Sequence, residues 1–175
     1  MDRDLQNHQE GTTIMVEKTL VLIKPDGVKR GLVGRIIQRF EDVGYKIVAT
    51  KMVWADTELT QKHYKEHVDK PFYEELEELL TMGPVMAMVL EGVSAIEKTR
   101  QMIGTTEPKS AAPGTIRGDF ASLSYEYADE NKDVIFKNLV HASDSPESAE
   151  TEINLWFDEA DIHDYDTVHE AHTRR

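Results

Sequence analysis

The order of apolar and polar residues predicts four β-strands and five α-helices along the chain, two of the helices short. The first strand, residues 17–24, contains the unbroken apolar run Leu20 to Ile23. Side chains of that run point to both faces, as in a strand from the middle of a sheet. In the next segment apolar residues recur at helical spacing up to Gly44, which predicts a helix that ends there. The recurring residues are Val33, Ile36, Ile37 and Phe40.

The remaining predicted elements follow in an order that defines a fold class. Further strands are predicted over 46–54, 85–90 and 138–142, and further helices over 57–67, 72–80, 94–103 and 146–157. This order predicts an α+β fold: a ferredoxin-like βαββαβ sandwich with an antiparallel four-stranded sheet, helices on one face and added helical pieces. We expect one domain over residues 17–160, a flexible N-terminal arm over 1–16 and an acidic C-terminal tail over 161–175.

The composition narrows the classes of function. Acidic residues outnumber basic ones, 33 to 20, which gives a formal net charge of −13. Binding of nucleic-acid backbones by overall charge is therefore not expected. The chain has no cysteine and no run of about 18 apolar residues, so we expect no disulfide, thiolate metal site or membrane span. A polar N-terminus without an apolar signal-peptide centre makes a cytoplasmic location the expectation.

One heptapeptide carries the most specific chemistry. Residues 138–144 read Asn-Leu-Val-His-Ala-Ser-Asp, and Ser145, Pro146 and Glu147 follow with the composition of a helix start. Neutral imidazole is a nucleophile near neutral pH, and the free N–H groups of a helix N-terminus suit a phosphate. His141 is therefore a candidate for proton or phosphoryl chemistry.

Four further motifs accompany the heptapeptide in order along the chain. They are Lys24-Pro25-Asp26-Gly27-Val28, Arg30-Gly31-Leu32-Val33-Gly34, Gly83 to Val89 and Pro113 to Asp119. Together with residues 138–144 they resemble the nucleoside diphosphate kinase family over residues 17–160. The resemblance implies that family's fold and its ping-pong reaction. A nucleoside triphosphate, typically ATP, would give its γ-phosphoryl group to His141, and a nucleoside diphosphate would take it from the phosphohistidine.

The resemblance gives His141 three supporting residues. Glu152 would hydrogen-bond the ring nitrogen that does not react, Ser143 would support that carboxylate, and Tyr64 would lie near the histidine. On the predicted final helix Glu152 precedes Trp156 by four positions, so it borders the apolar face. An ordinary glutamate of an amphipathic helix fits that position as well.

The resemblance also implies six nucleotide-binding residues. Three cations would hold the phosphates: Lys24 the transferred group, and Arg100 and Arg117 as bidentate clamps. Thr106 would add a hydroxyl, Asn138 an amide for the sugar, and Phe72 a stacking surface for any base. Solvated arginines and a packing phenylalanine are the alternatives at these positions. Mg²⁺ would bridge the phosphates with few protein ligands, and a homo-hexamer or homo-tetramer is the assembly implied.

Other chemistries fit single features of the chain. Residues 63–67, His-Tyr-Lys-Glu-His, match a zinc-protease pattern, but the predicted helix is short and lacks a third ligand, so we expect no zinc there. His163, His169 and His172 lie in the acidic tail, where we expect solvation. A binding protein without turnover and a phosphocarrier that passes phosphate from His141 to a protein are the rival functions. The absence of a Walker A sequence excludes a P-loop kinase.

The chain departs from the family pattern in one segment. Between Arg117 and His141 it is longer than the family norm, around residues 122–136, here called the insert. Because Arg117 and Asn138 must meet at one nucleotide, the insert is predicted to loop outward and to serve the periphery of the site or the assembly. Its residues Tyr125 and Tyr127 would either pack against a neighbouring subunit or stay solvated.

Overall fold

A computed structural model describes residues 16–173 of the chain. Its strands are β1 (Val16–Ile23), β2 (Lys46–Val53), β3 (Val85–Val93) and β4 (Val140–Ala142). Its helices are α1 (Pro25–Lys29), α2 (Val33–Asp42), α3 (Thr57–His63), α4 (Tyr73–Thr81), α5 (Ala95–Ile103), α6 (Ile116–Phe120), α7 (Tyr125–Glu130), α8 (Pro146–Trp156) and α9 (Glu170–Thr173). The arm predicted over 1–16 lies outside the described residues, apart from Val16, which begins β1.

The four strands form one antiparallel sheet in the order β2–β3–β1–β4. β1 pairs with β3, with Leu20 opposite Val89. The short β4 pairs with the other side of β1, which places His141 opposite Leu22. This order and the α+β class confirm the predicted ferredoxin-like sandwich. The central position of β1 agrees with its unbroken apolar run.

Helices cover both faces of the sheet, which corrects the expectation of helices on one face. One core cluster joins Val21 and Ile23 of β1 to α2 and α5, and a second joins Leu20 and Leu22 to α4 and α8. All four of these β1 side chains are fully buried. Because successive side chains of a strand point to opposite faces, an unbroken apolar run needs cover on both sides.

The C-terminal segment packs against the sheet edge and is not a solvated tail. The N–H of His163 donates to the carbonyl of Val48 in β2 over 2.8 Å. Lys46, which is buried, forms an ion pair with the buried Glu170 of α9 at 3.7 Å. Backbone groups of an edge strand gain from partners, and a buried ammonium needs a counter-charge. Neither requirement shows in the periodicity of the sequence.

The stretch between α5 and β4, which has no clear periodicity, contains two short α-helices. The hydroxyl of Thr115 caps α6 by accepting from the N–H of Gly118 over 3.1 Å. The hydroxyl of Ser124 caps α7, within the insert, by accepting from the N–H of Tyr127 over 3.1 Å. These helices begin at a capping bond and are too short to carry an apolar stripe. Hydrophobic spacing therefore does not predict them.

Candidate active site

A left-handed turn places the candidate nucleophile on the edge strand β4. Leu139 has a φ of 69°, a conformation that costs a residue with a side chain about 1–3 kcal/mol and persists only when contacts hold it. Its N–H donates to Oδ2 of Asp26 over 3.0 Å, and its carbonyl accepts from the N–H of Lys24 over 2.8 Å. A Cβ on Gly27 would lie 3.2 Å from that carbonyl oxygen, so a larger residue would press on the turn. The Lys-Pro-Asp-Gly motif thus holds the segment that leads into His141.

His141 and Glu152 form the central hydrogen-bonded pair. Nε2 of His141 lies 2.9 Å from Oε1 and 3.0 Å from Oε2 of Glu152. The Ser143 hydroxyl donates to Oε2 over 2.5 Å. A carboxylate only accepts hydrogen bonds, so Nε2 carries the proton when the imidazole is neutral. Nδ1 then keeps its lone pair, and it is the nitrogen that can attack phosphorus.

Helix α8 sets Glu152 at this distance. The hydroxyl of Ser145 caps the helix by accepting from the N–H of Ser148 over 3.0 Å, and Pro146 follows at the first helical position. One turn after Glu152, the buried Trp156 packs in the core cluster that includes Leu20 and Leu22 of β1. The apolar side of α8 therefore positions the polar pair beside β4.

Three of the predicted residues form a chain of hydrogen bonds beside the nucleophile. Lys24 Nζ donates to Oδ1 of Asn138 over 2.9 Å, and Nδ2 of Asn138 donates to the carbonyl of Thr106 over 3.0 Å. Lys24 is 6% exposed. Burial, and then the charge of Arg117, lower the pKa of Lys24 to about 8 against the opposing effect of Asp26. An arriving anion would stabilise this poorly solvated ammonium.

Backbone carbonyl groups hold Arg117. Its Nε, Nη1 and Nη2 atoms donate over 3.1, 2.8 and 2.7 Å to the carbonyls of Asn138, Gly104 and Val140, respectively. Burial, and then Arg100, lower the pKa of Arg117 to about 10, so it is charged at neutral pH. These bonds leave two of its five N–H groups for other partners. Arg100 lies on α5 with Nη1 3.4 Å from the carbonyl of Ala142.

The predicted residues converge on one cleft of about 910 Å³, within the usual range for small-molecule sites. Nine of the ten line it: Lys24, Tyr64, Phe72, Arg100, Thr106, Arg117, Asn138, His141 and Glu152. Ser143 lies behind them and contacts Glu152. Phe72 stands at the start of α4 with 49% of its surface exposed, while Tyr64 is buried in the cleft wall.

The insert forms part of the wall of the same cleft. The rings of Tyr125 and Phe136 stack with centroids 4.3 Å apart, and both residues line the cleft. The N–H of Tyr125 donates to Oε1 of Glu107 over 3.0 Å. Because Glu107 follows Thr106 directly, this bond ties the insert to the loop expected to meet the phosphates.

Comparison with known proteins decides the family. The model of the family described as nucleoside diphosphate kinase matches residues 17–162. The chain belongs to the nucleoside diphosphate kinase family. The nucleoside diphosphate kinase of Pyrococcus furiosus is 55% identical over 150 residues, which cover 86% of this chain and 88% of that protein. That of Natronomonas pharaonis is 50% identical over 155 residues, which cover 88% of this chain and 94% of that protein.

Solved structures of nucleoside diphosphate kinases share the fold. One is the structure of the Borrelia burgdorferi enzyme, described as a transition-state mimic with bound vanadate and ADP. It matches this chain with a TM-score of 0.85 at 42% identity, and the match covers 89% of this chain and 95% of that one. Another is the structure of the halophilic enzyme of Halobacterium salinarum in complex with CDP. It matches with a TM-score of 0.82 at 42% identity, and the match covers 92% of this chain and 100% of that one. With the family match, these likenesses establish nucleoside diphosphate kinase activity, a phosphotransfer between nucleotides, for this chain.

The kinase site does not fit a resident Mg²⁺ ion. Within residues 16–173, one group of three His, Asp or Glu side chains could hold a metal: His63, His141 and Glu152, whose ligand atoms lie within 4.8 Å of one another. This set offers two nitrogens and includes the candidate nucleophile, whereas Mg²⁺ prefers hard oxygen ligands in an octahedron. These residues therefore do not form a cage for Mg²⁺.

Three residues contact this cleft although the sequence assigns none of them a role there. Asp26 holds the turn before His141, the ring of His63 lies 4.6 Å from that of His141, and Trp156 donates to His63. The zinc-protease pattern pairs His63 with His67, but His67 lies outside the group that includes His141 and Glu152. Contacts between residues so distant in the chain leave no periodic pattern, so sequence reasoning missed them.

Proposed function

We propose that this chain transfers the γ-phosphoryl group of a nucleoside triphosphate, typically ATP, to a nucleoside diphosphate through a phosphohistidine on Nδ1 of His141. The observation that carries this proposal is the 2.9 Å contact between Nε2 of His141 and Glu152. The contact leaves Nδ1 as the nitrogen with a free lone pair. It also keeps a carboxylate beside the positive charge that the ring gains when Nδ1 bonds to phosphorus.

The reaction consists of two half-reactions at the same nitrogen. In the first, the lone pair of Nδ1 forms a bond to the γ-phosphorus, the bond from that phosphorus to the β–γ bridging oxygen breaks, and the nucleoside diphosphate leaves. In the second, a terminal oxygen of an incoming diphosphate attacks the phosphorus, and the N–P bond breaks. Glu152, supported by Ser143, holds the proton on Nε2 of His141 through both half-reactions.

Lys24, Arg100 and Arg117 supply the positive charge for the phosphates. The net charge of the chain is −13, so an anionic substrate needs cations that are gathered locally. Lys24 and Arg117 are buried beside the cleft and already held by hydrogen bonds. Such groups need little reorganisation when the transferring phosphoryl group develops charge. Thr106 adds a hydroxyl to the phosphates, and Asn138 an amide to the sugar.

Phe72 supplies a stacking surface for the base. Its ring is half exposed, and the ring of His67 lies 5.6 Å away. Stacking on an aromatic ring is worth about 1–3 kcal/mol per base and tolerates purines and pyrimidines alike. Tyr64 forms the wall nearer to the nucleophile, packed against His63. Because burial raises the pKa of Tyr64, its hydroxyl stays protonated.

Mg²⁺ is proposed to arrive with the nucleotide. The described residues offer no oxygen-rich cage, and their one metal-capable group contains His141 itself. In kinase sites Mg²⁺ commonly keeps several waters and binds the substrate phosphates. Bound in that way, it offsets phosphate charge, while the chain's own residues orient the nucleotide and the nucleophile.

We further infer a homo-oligomer, hexamer or tetramer, and a cytoplasmic location. Large apolar side chains are exposed at and just beyond the end of β2, with Met52 55% and Trp54 68% exposed, and such a surface suits a subunit contact. Over residues 16–173, every helix is too short or too polar to cross a membrane. Light scattering tests the assembly, and cell fractionation tests the location.

Transfer of phosphate from ATP to GDP with Mg²⁺, measured for the wild type and for His141→Asn, tests the proposed reaction. The variant should lose turnover but bind ADP nearly as before, because the amide cannot act as the nucleophile. His163→Asn, at an exposed histidine outside the cleft, is the matched control and should keep full activity. Substantial turnover by His141→Asn would refute the proposal.

The two rival functions give different results in the same experiment. A binding protein without turnover would bind ADP and leave GDP unphosphorylated in the wild type. A phosphocarrier would acquire phosphate from ATP and pass it to a protein acceptor, again leaving GDP unchanged. Formation of GTP by the wild type at a rate that depends on His141 separates the proposed reaction from both.

A further inference from the structure

A second histidine lies against the candidate nucleophile and is held by a tryptophan. The rings of His63 and His141 meet edge to face, with centroids 4.6 Å apart and planes at 82°. Nδ1 of His63 accepts a hydrogen bond from the indole Nε1–H of Trp156 over 3.3 Å. Nε2 of His63 is buried and has no hydrogen-bond partner among residues 16–173. None of the family roles expected from the sequence explains this arrangement.

The bond from Trp156 fixes which nitrogen of His63 carries a proton. An indole N–H can only donate, so Nδ1 of His63 must present its lone pair. The neutral ring therefore carries its proton on Nε2. Protonation of Nδ1 would set an N–H against the N–H of Trp156 and would break the bond.

The groups that face His63 also oppose a charge on it. Burial lowers the pKa of His63 well below its usual value, and His141, Lys24 and His67 act in the same direction. The remaining neighbours are the protonated hydroxyl of Tyr64 and the carboxylate of Glu152. That carboxylate is already engaged by Nε2 of His141 and by Ser143.

We propose that Trp156 and His63 form a positioning pair for the nucleophile. Trp156 holds His63 as a neutral imidazole with its proton on Nε2, and the His63 ring fixes the plane of the His141 ring without placing a charge beside the phosphorylation site. This rests on the proposed role of His141. A positive charge at this distance would draw electron density from Nδ1 and would hold the negative phosphoryl group on His141, which slows both half-reactions.

The same bond makes a metal ion at this group of side chains unfavourable. His63, His141 and Glu152 could in principle bind zinc, which takes imidazole and carboxylate ligands. A metal on Nε2 of His63, however, moves the proton of the neutral ring to Nδ1, where it meets the N–H of Trp156. We therefore expect the cluster to act as an imidazole pair, and zinc binding is an outcome that the test must detect.

The direct test is ¹⁵N NMR of the histidine rings in the full chain, recorded across the pH range around neutrality. In the wild type, Nδ1 of His63 should keep the shift of an unprotonated acceptor, and His63 should not titrate near ~6.5, the ordinary histidine pKa. Trp156→Phe keeps a ring and removes the N–H, so the pKa of His63 should rise above its wild-type value, although burial still lowers it. Trp54→Phe is the matched control: Trp54 donates to the carbonyl of Thr81 outside the cleft. Phenylalanine keeps an apolar ring at the proposed subunit contact, so this change should leave both His63 and the assembly as in the wild type.

The pH profile of ATP-to-GDP transfer supplies the functional readout. Because the pKa of His63 rises in Trp156→Phe and only its neutral form supports transfer, activity relative to Trp54→Phe should fall toward acid pH and recover as the pH approaches and passes ~6.5, the ordinary histidine pKa. Adding His63→Gln to Trp156→Phe should abolish this additional loss of activity at acid pH, because the titrating ring is gone. A structural role alone would lower activity at every pH.

Several results would overturn the proposal. The first is a wild-type His63 that titrates near ~6.5 or carries its proton on Nδ1. The second is a pH profile of transfer for Trp156→Phe that matches the profile for Trp54→Phe. The third is stoichiometric binding of added Zn²⁺ that shifts the His63 resonances. The wild-type spectra decide the tautomer even if Trp156→Phe fails to fold. They do so independently of catalysis, so failure of the proposed phosphohistidine remains distinguishable as the absence of phosphate on His141.

Discussion

The N–H of Leu139 donates to Oδ2 of Asp26 over 3.0 Å. This bond joins the motif after β1 to the turn that leads into His141, across most of the length of the sequence. Asp26 is only 5% exposed, and Leu139 holds a positive φ of 69°. The carboxylate therefore satisfies a buried donor and maintains a backbone conformation that Leu139 would otherwise leave.

Removing that carboxylate should cost both stability and activity. In Asp26→Ala the buried N–H of Leu139 loses its partner, so the free energy of unfolding should fall by about 1–3 kcal/mol. Transfer from ATP to GDP should fall as well, because the turn no longer fixes His141. Asp69→Ala, at an exposed aspartate, is the control in denaturant unfolding. Equal free energies of unfolding for the two variants would show that the hydrogen bond between Asp26 and Leu139 does not stabilise the fold.

Binding of ATP to His141→Asn, which cannot accept the phosphoryl group, should weaken as Lys24 loses its proton. Burial lowers the pKa of Lys24 to about 8, and the γ-phosphate that Lys24 is proposed to hold favours the charged ammonium, so affinity should fall above that pH by about tenfold per pH unit. Calorimetric titration of His141→Asn with ATP measures this slope. Adding Lys24→Met should weaken binding at neutral pH and remove the slope. A flat profile for His141→Asn well above pH 8 would contradict the assignment.

The stability of the free protein should change with pH in the opposite direction. The folded pKa of Lys24, about 8, lies below the unfolded value of 10.5, so between these values the unfolded chain binds more protons. The contribution of Lys24 to the free energy of unfolding then rises with pH across that window. Lys24→Met should remove this part of the pH dependence, which the difference between its unfolding curves and those of the wild type measures.

Phe72 should support all bases to a similar degree. If the base only stacks, catalytic efficiencies for ADP, GDP, CDP and UDP should lie within about 1–2 kcal/mol of each other, the order of stacking differences. Phe72→Ala should then lower all four by comparable factors. Discrimination of several thousandfold between bases would instead require hydrogen bonds to their edges and would contradict a stacking-only site.

Shortening the insert should leave the chemistry intact. The wall formed by Tyr125 and Phe136 borders the cleft, and the N–H of Tyr125 reaches Glu107, but the hydrogen bonds described for His141 come from outside residues 122–136. A longer loop costs only about 0.6 kcal/mol per doubling of its length, so its removal need not disturb the ends. We expect His141 to be phosphorylated in the shortened protein, with changes confined to nucleotide affinity, oligomer size or thermal stability. A folded, nucleotide-binding variant that cannot be phosphorylated would show that the insert supplies a catalytic group.

Sequence reasoning succeeded where one local pattern determined the structure. The apolar run Leu20 to Ile23 marked the central strand, and the Ser145-Pro146 pair marked the start of α8. The expectation that helices cover only one face of the sheet was wrong. The helices predicted over 57–67 and 72–80 were treated as additions to the sandwich and not as cover for the second face. Both faces of β1 carry buried leucine, valine or isoleucine, so those helices and α8 are needed to cover the second face.

The site residues that could be predicted from the sequence are those that lie in short motifs. Lys24, Asn138 and Arg117 lie in short motifs, and the structure brings them to one cleft. The contact of His63 with Trp156 and that of Lys46 with Glu170 join residues far apart in the chain. No local spacing encodes such pairs, because each depends on how whole elements pack.

Mass spectrometry of the protein after incubation with ATP and Mg²⁺ is the most direct test of the phosphohistidine. We expect one acid-labile phosphate per chain on His141, which disappears on addition of GDP as GTP forms. This phosphate should be absent from His141→Asn and unchanged in His163→Asn. Phosphate on another residue, or transfer to GDP without any phosphate on His141, would show that His141 is not the nucleophile.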